Sequence, residues 1–153
     1  MFLLMPVRAA LAHPLDVYLQ ATYITVAPAQ VVVELDLSPG VLVVPKILPQ
    51  LDTNADKLIS EAESLAYVNS VLQNVTLQVD GKPLALSVTQ IDTPDYLTIQ
   101  AGYGMIRVFT LAQLLDDLTG TQKIDYGNNY APVGSAYQVN AFVDKGVSIT
   151  LRK

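Results

Sequence analysis

An alternation of apolar and polar residues recurs along this 153-residue chain and constrains its fold more than any other feature. Residues 15–23 place apolar side chains at odd positions and more polar ones at even positions. This pattern predicts a strand whose odd-numbered side chains face the core. Residues 31–37 repeat the alternation, and residues 27–29 between them predict a hairpin connection. Residues 15–37 are therefore expected to form two neighbouring strands of a sheet.

The same period of two continues toward the end of the chain. Strands are predicted at residues 75–79, 84–88, 96–101, 105–110, 123–126, 137–143 and 147–151, with a short helix at 111–118. Asp80-Gly81 is a strong hairpin signal, and Lys145-Gly146 predicts the turn of a last hairpin. About eight or nine short strands with regular turns predict a mainly β fold, namely an antiparallel β-sandwich.

Residues 52–63 are the stretch that indicates a specific chemistry, because their oxygen-bearing side chains have the spacing of an EF-hand-type calcium loop. The side-chain donors at loop positions 1, 3, 5, 9 and 12 are Asp52, Asn54, Asp56, Ser60 and Glu63. Leu58 at position 7 would add its backbone carbonyl, and Ile59 at position 8 would pin the loop to a core. Calcium prefers about six to eight oxygen ligands. These six ligand residues form the predicted metal site, with Ca²⁺ as the cofactor.

The loop departs from the usual pattern at position 6, where Lys57 replaces glycine. Glycine is preferred there because the backbone turns with positive φ, and another residue in that conformation costs about 1 kcal/mol. The strain and the nearby cation both predict weak binding, with a dissociation constant of about 10⁻⁵ to 10⁻³ M. An alternative interpretation is a polar turn that caps a helix, since Ser60 and Glu63 form a capping-box sequence. The two interpretations are compatible.

A helix is predicted at residues 60–73, directly after the loop. Its expected apolar stripe comprises Ala62, Leu65, Ala66, Val68, Val71 and Leu72. Residues 41–51 contain Pro45 and Pro49, so we expect an irregular or short helical approach to the loop. The prediction is a single sandwich domain over residues 13–153 with an inserted EF-hand-like loop and helix at 41–74.

Composition and the N-terminus limit the compartment and the partners. The net charge of −5 argues against binding to nucleic acid or to an anionic membrane surface. No run of about 18 apolar residues is present, so no membrane span is expected in this chain. Residues 1–12 resemble the end of a secretory signal peptide with a cleavage site after Ala12, which predicts an extracytoplasmic protein. The alternative is an ordinary terminus.

The side chains for nucleophilic catalysis are sparse, and we expect no enzymatic activity. His13 is the only histidine, and no Gly-x-Ser-x-Gly sequence occurs. If the leader is cut after Ala12, the amine and imidazole of His13 become available to capture nickel, cobalt or copper, which is the alternative function. The aromatic and amide-rich residues 126–130 either bind a ligand or form a structural corner, and we favour the structural interpretation.

Three short motifs in this order resemble a known family. They are Ala12-His13-Pro14-Leu15, the loop at 52–63, and Leu77-Gln78-Val79-Asp80-Gly81-Lys82-Pro83, with Tyr67 in the helix between the second and third. Together they resemble the extracytoplasmic N-terminal domain of bacterial membrane proteins related to nickel/cobalt transporters (NicO, HupE/UreJ-like). The resemblance implies a non-enzymatic, exported calcium-binding domain that is an accessory to a membrane transporter segment C-terminal to this chain. Asn54 in place of an acid, and Lys57 in place of glycine, depart from the family pattern.

Overall fold

The computed structural model describes residues 15–114, 118–148 and 150. The predicted signal peptide and His13 lie outside these residues. The elements in chain order are β1 (Tyr18–Ala27), β2 (Gln30–Pro39), α1 (Val44–Leu51), α2 (Glu61–Leu72), β3 (Val75–Val79), β4 (Lys82–Pro83), β5 (Ser87–Asp92), α3 (Tyr96–Gln100), β6 (Ile106–Gln113), β7 (Ile124–Asn128) and β8 (Ser135–Val143). Within the described ranges, none of the helices has the length and apolar character needed to cross a bilayer.

Two sheets make up the fold, which confirms the prediction of a mainly β, sandwich-like protein. The larger has the strand order β5-β6-β2-β1-β8 and the smaller has the order β4-β3-β7. Among the described residues, every strand pairing is antiparallel except that of β1 with β8, which is parallel. The unit α1–loop–α2 follows β2 and leads into β3, so the candidate loop is positioned by two helices.

The hairpin of β1 and β2 closes through Pro28 and Ala29, as predicted. The side chains of β1 that face the core, however, are not the odd-numbered ones that were predicted. The even-numbered residues of β1 are buried, and Gln20 and Thr22 are among them. The reason is that these polar side chains have buried partners. The Gln20 amide donates to the Tyr130 carbonyl at 2.7 Å, and the Thr22 hydroxyl lies 3.0 Å from that of Tyr126. Hydrogen bonding makes their burial acceptable.

The helix after the loop is confirmed, with Ser60 as its N-cap, but its apolar stripe is shifted from the predicted one. The buried residues are Glu63, Ser64, Tyr67, Val68 and Val71. Ala62, Leu65 and Ala66, expected in the stripe, are exposed. The helix turns Glu63 toward the loop and Tyr67 toward β1, where both side chains find hydrogen-bond partners.

The segment from residue 84 to residue 101 differs most from the prediction. The return strand expected at 84–88 is instead β4 at Lys82–Pro83, and residues 84–86 belong to no strand before the chain crosses to the large sheet as β5. The strand expected at 96–101 is α3. Asp95 caps α3, since its carboxylate accepts the Thr98 N–H at 2.9 Å and the Thr98 hydroxyl at 2.7 Å. This cap outweighs a weak alternation of apolar residues.

The end of the chain also differs from the prediction. Residues 111–113, expected in a helix, continue β6, because Ile106, Val108, Thr110 and Ala112 alternate into the core. Residues 115–117 lie outside the described part. The last hairpin is absent among the described residues, since 147, 148 and 150 belong to no strand. Instead β8 pairs with β1 in parallel.

Three buried tyrosines join the large sheet to α2 and to the segment after β7. The Tyr18 hydroxyl lies 2.7 Å from that of Tyr67, and the Tyr130 hydroxyl donates to Tyr67 at 3.3 Å. The Tyr130 ring also meets each of the other two edge-on, with centroids 6.2 Å apart. Burial raises the pKa of all three hydroxyls, so they act as neutral donors. The structural interpretation of the tyrosine-rich segment is therefore supported.

Substitution of Tyr67 by Phe tests this cluster. It leaves the buried Tyr18 hydroxyl without its partner, and a buried unpaired hydroxyl costs about 1–3 kcal/mol. We expect urea denaturation to show a loss of that size. Tyr103→Phe is the matched control, because that side chain is 87% exposed, and its free energy of unfolding is expected to be unchanged. Equal effects of the two substitutions would contradict the role of the cluster.

Candidate metal centre

The loop is attached to the protein at both of its ends. Asp52 is the C-cap of α1, and its N–H donates to the Leu48 carbonyl at 2.8 Å. Ile59 packs against the core, as predicted for loop position 8. At the far end Ser60 begins α2. The loop is therefore fixed between two helices rather than projecting freely.

The backbone of the loop is left-handed at two non-glycine residues. Ala55 has a φ of 59° and Lys57 a φ of 63°. The second value confirms the expectation that loop position 6 requires positive φ even when lysine occupies it. Each such residue costs about 1–2 kcal/mol relative to ordinary backbone. Local hydrogen bonds must therefore hold the loop in this shape.

Side chains at positions 1, 3 and 5 supply those hydrogen bonds. The two Asp52 oxygens accept the N–H groups of Asp56 at 3.1 Å and Lys57 at 3.0 Å. The Asn54 oxygen accepts the Asp56 N–H at 2.9 Å, and an Asp56 oxygen accepts the Leu58 N–H at 2.8 Å. Asn and Asp commonly bend the backbone in this way. The side chains at these three predicted donor positions therefore hold the loop backbone in its bent conformation.

Glu63, at position 12, closes the loop from the first turn of α2. One carboxylate oxygen accepts the Thr53 N–H at 2.9 Å, the Thr53 hydroxyl at 3.0 Å and the Asn54 N–H at 3.4 Å. The other accepts the N–H of Ser60 at 3.1 Å and its hydroxyl at 2.7 Å. The Ser60 oxygen in turn accepts the Glu63 N–H at 3.2 Å, which completes the predicted capping box. One side chain thus joins the start of the loop to its end.

The hydrogen bonds to Glu63 set its acidity. The Ser60 hydroxyl and N–H contribute most, followed by the Thr53 N–H, and together they lower the pKa of the Glu63 carboxyl to about 2. Partial desolvation acts in the opposite direction but is outweighed. Hydrogen bonds to the ionised form favour that form. Glu63 is therefore a carboxylate at any physiological pH.

The six predicted ligand residues share one loop, but their side chains differ in setting. Asp52 and Glu63 are buried, whereas Asn54, Asp56, Leu58 and Ser60 are exposed. Over residues 15–114, 118–148 and 150, no three or more His, Asp or Glu side chains are grouped as a metal-binding cluster. Each of the three loop carboxylates accepts N–H groups of the loop instead. The donor types and the loop backbone fit calcium, while the carboxylates are engaged with protein donors.

A role for Thr53 and two clefts near the loop were not predicted from the sequence. Thr53 bonds to Glu63 through both its N–H and its hydroxyl, and no spacing rule assigns a role to loop position 2. A cleft of about 150 Å³ lies beside Asp52 and is lined also by Ala55 and Tyr96. A second cleft of about 390 Å³ lies between α2 and β5, away from the loop carboxylates. Both clefts depend on α3 or β5, whose positions the alternation did not predict.

Comparisons with protein-family models, with curated proteins and with solved structures gave no significant match for this chain.

The acidity of Glu63 predicts how stability depends on pH. Its folded pKa of about 2 lies below the ordinary value of 4.5, so its contribution is present above pH 4.5 and is lost as the pH falls toward 2. We expect urea denaturation in the presence of EDTA to show this loss in the wild type and a smaller loss in Glu63→Gln. Glu61→Gln is the control and should follow the wild type. A wild-type curve that matches Glu63→Gln would contradict the hydrogen-bonded carboxylate.

Proposed function

We propose that this protein is a non-enzymatic, exported calcium-binding domain. The side chains that would hold the ion are those of Asp52, Asn54, Asp56, Ser60 and Glu63, with the backbone carbonyl of Leu58. Calcium would supply a positive charge that holds three carboxylates at one loop and links α1 to α2. In keeping with the resemblance described above, we further propose that the domain is an accessory of a membrane transporter.

The observation that carries this proposal is the shape of the loop backbone. The left-handed residues Ala55 and Lys57, together with the turns made by Asp52, Asn54 and Asp56, bring alternate side chains to one short loop. A calcium loop takes its side-chain ligands from alternate residues of a loop of this kind. A loop already held in a suitable conformation loses less entropy when it binds an ion. This supports calcium over a helix cap alone, because a cap needs only Ser60 and Glu63.

The contacts of Glu63 also bear on the strength of binding. Its two oxygens accept five hydrogen bonds from Thr53, Asn54 and Ser60. Binding an ion through this carboxylate would exchange part of these bonds for ionic contacts, so the net gain is smaller than for a free carboxylate. The Lys57 cation next to Asp56 acts in the same direction. We therefore propose weak binding, with a dissociation constant of about 10⁻⁵ to 10⁻³ M, as in extracellular modules and weaker sensors.

Calcium binding is tested by thermal melting in Ca²⁺, Ni²⁺ or EDTA, with calorimetric titration. We expect Ca²⁺ to raise the melting temperature, because an ion that binds the folded state stabilises it, by about 2.7 kcal/mol at 100 times its dissociation constant. Asp52→Asn and Glu63→Gln are expected to abolish the shift, whereas Glu61→Gln, which removes an exposed carboxylate outside the donor set, should retain it.

Two results would contradict calcium as the ligand. One is the absence of both heat and a melting shift at millimolar Ca²⁺. The other is stabilisation by Ni²⁺ instead, abolished by His13→Ala and unaffected by Asp52→Asn, which would favour metal capture at the N-terminus.

Substitutions of Lys57 separate backbone strain from charge. Lys57→Gly relieves the strain of the left-handed backbone, but glycine also gives the unfolded chain more conformational freedom. The free energy of unfolding in EDTA should therefore rise by only about 0.5–1 kcal/mol. Lys57→Gln removes only the charge and should leave this stability nearly unchanged. Both variants lack the cation near the donors, so calorimetry should show tighter calcium binding in each. Equal stabilisation by the two variants would contradict the strained loop.

A further inference from the structure

The two sheets have four edge strands, and three of them carry features that discourage pairing with another chain. The edge strand β4 has two residues, and Pro83 lacks an N–H group. A register shift interrupts the pairing of β5 with β6, and β5 ends in the exposed Asp92. The edge strand β7 contains Asp125, whose carboxylate pairs with the Lys123 ammonium at 2.7 Å. Short length, bulges, proline and charges are the usual protection of sheet edges.

The fourth edge, β8, has none of these features. It is nine residues long, about 30 Å when extended, and its sequence Ser135–Val143 contains neither a charged residue nor proline. Its pairing with β1 runs without interruption from Ser135 to Val143. Over the described residues no strand pairs with its outer side. A row of backbone N–H and C=O groups is therefore available to another strand.

Several apolar side chains of β8 are exposed to solvent. Val139 is 54% exposed and Phe142 is 51% exposed. The register places Val139 beside Thr22 of β1. At β1 the small sheet covers this face of the large sheet, since the Tyr126 hydroxyl contacts the Thr22 hydroxyl. That cover does not extend over β8, so the inner face of the strand stays open. A strand laid along β8 would bury these side chains as well as the backbone groups.

We propose that β8 is the contact between two copies of this chain. Antiparallel pairing about a two-fold axis at Val139 matches residue 135 of each copy with residue 143 of the other. All nine positions are then paired, and the two five-stranded sheets become one sheet of ten. Such a contact is isologous, so it closes as a dimer and does not propagate.

Self-complementarity favours a second copy as the occupant, because the antiparallel pairing about Val139 is continuous and opposes no like charges. The chain carries a net charge of −5, so two copies repel each other over most of their surfaces and can approach only along an uncharged one. The β8 strand provides that surface, and the pairing places Asp144 opposite Gly134 rather than opposite another charge. The contact is narrow, since it consists of one strand pair and its side chains. The dimer is accordingly weak and reversible, at the small end of protein interfaces.

Sedimentation velocity of the full chain over a range of concentrations, in EDTA, tests this proposal independently of calcium. We expect a reversible dimer for the wild type. Val139→Lys places two cations opposite each other at the axis and should raise the dissociation constant at least about tenfold. Ser87→Lys, on the protected edge β5, is the matched control and should dimerise like the wild type. Circular dichroism establishes that each variant is folded.

Cysteine cross-linking gives a second readout that does not depend on the lysine variant. The chain has no cysteine, so Val139→Cys introduces a single thiol of similar size to the original side chain. Mild oxidation should give a disulfide-linked dimer, whereas Ser87→Cys should remain monomeric. A wild type that is monomeric at every concentration, a dimer insensitive to Val139→Lys, or equal cross-linking of both cysteine variants would overturn the proposal.

Discussion

The carboxylate of Glu63 is the interaction on which the candidate site depends. It joins the N-terminal end of the loop, through Thr53, to the N-cap residue of α2, Ser60. Without it, the left-handed residues Ala55 and Lys57 would be held only by the short-range turns of Asp52, Asn54 and Asp56. The same contacts that close the loop also engage the strongest candidate ligand. If the loop binds calcium as proposed, the hydrogen bonds that make it rigid would compete with the ion for the same carboxylate.

Polar groups perform a similar joining role in the core. The side-chain oxygen of Gln20 accepts a hydrogen bond from the Asn128 amide at 3.0 Å, and its amide donates to the Tyr130 carbonyl. These bonds join the large sheet to the end of β7 and the segment after it. The hydroxyl group of Tyr67 joins α2 to β1. Directional hydrogen bonds add to apolar packing in fixing the relative orientation of a sheet and a helix. The loop sits at the start of α2, so this core also sets the position of the candidate centre.

Local chemistry made parts of this structure predictable. The β1–β2 hairpin, the Asp80-Gly81 turn, the capped helix α2 and the positive φ of Lys57 each follow from residues within a few positions of one another. The facing of β1 was not predictable, because the partners of Gln20 lie more than 100 residues away. The parallel pairing of β8 with β1 is non-local in the same way. At the site, spacing predicted the candidate donors, but the hydrogen bonds that occupy Glu63 depend on how α2 packs.

The most direct test of calcium binding at this loop is a calcium titration followed by ¹H–¹⁵N correlation spectra of the whole chain. We expect the largest shifts at the amides of Thr53, Asn54 and Ser60, since these groups donate to Glu63, with further shifts confined to residues 52–63. The shifts should saturate at millimolar calcium. Spectra that do not change at that concentration, or changes located away from residues 52–63, would contradict the account.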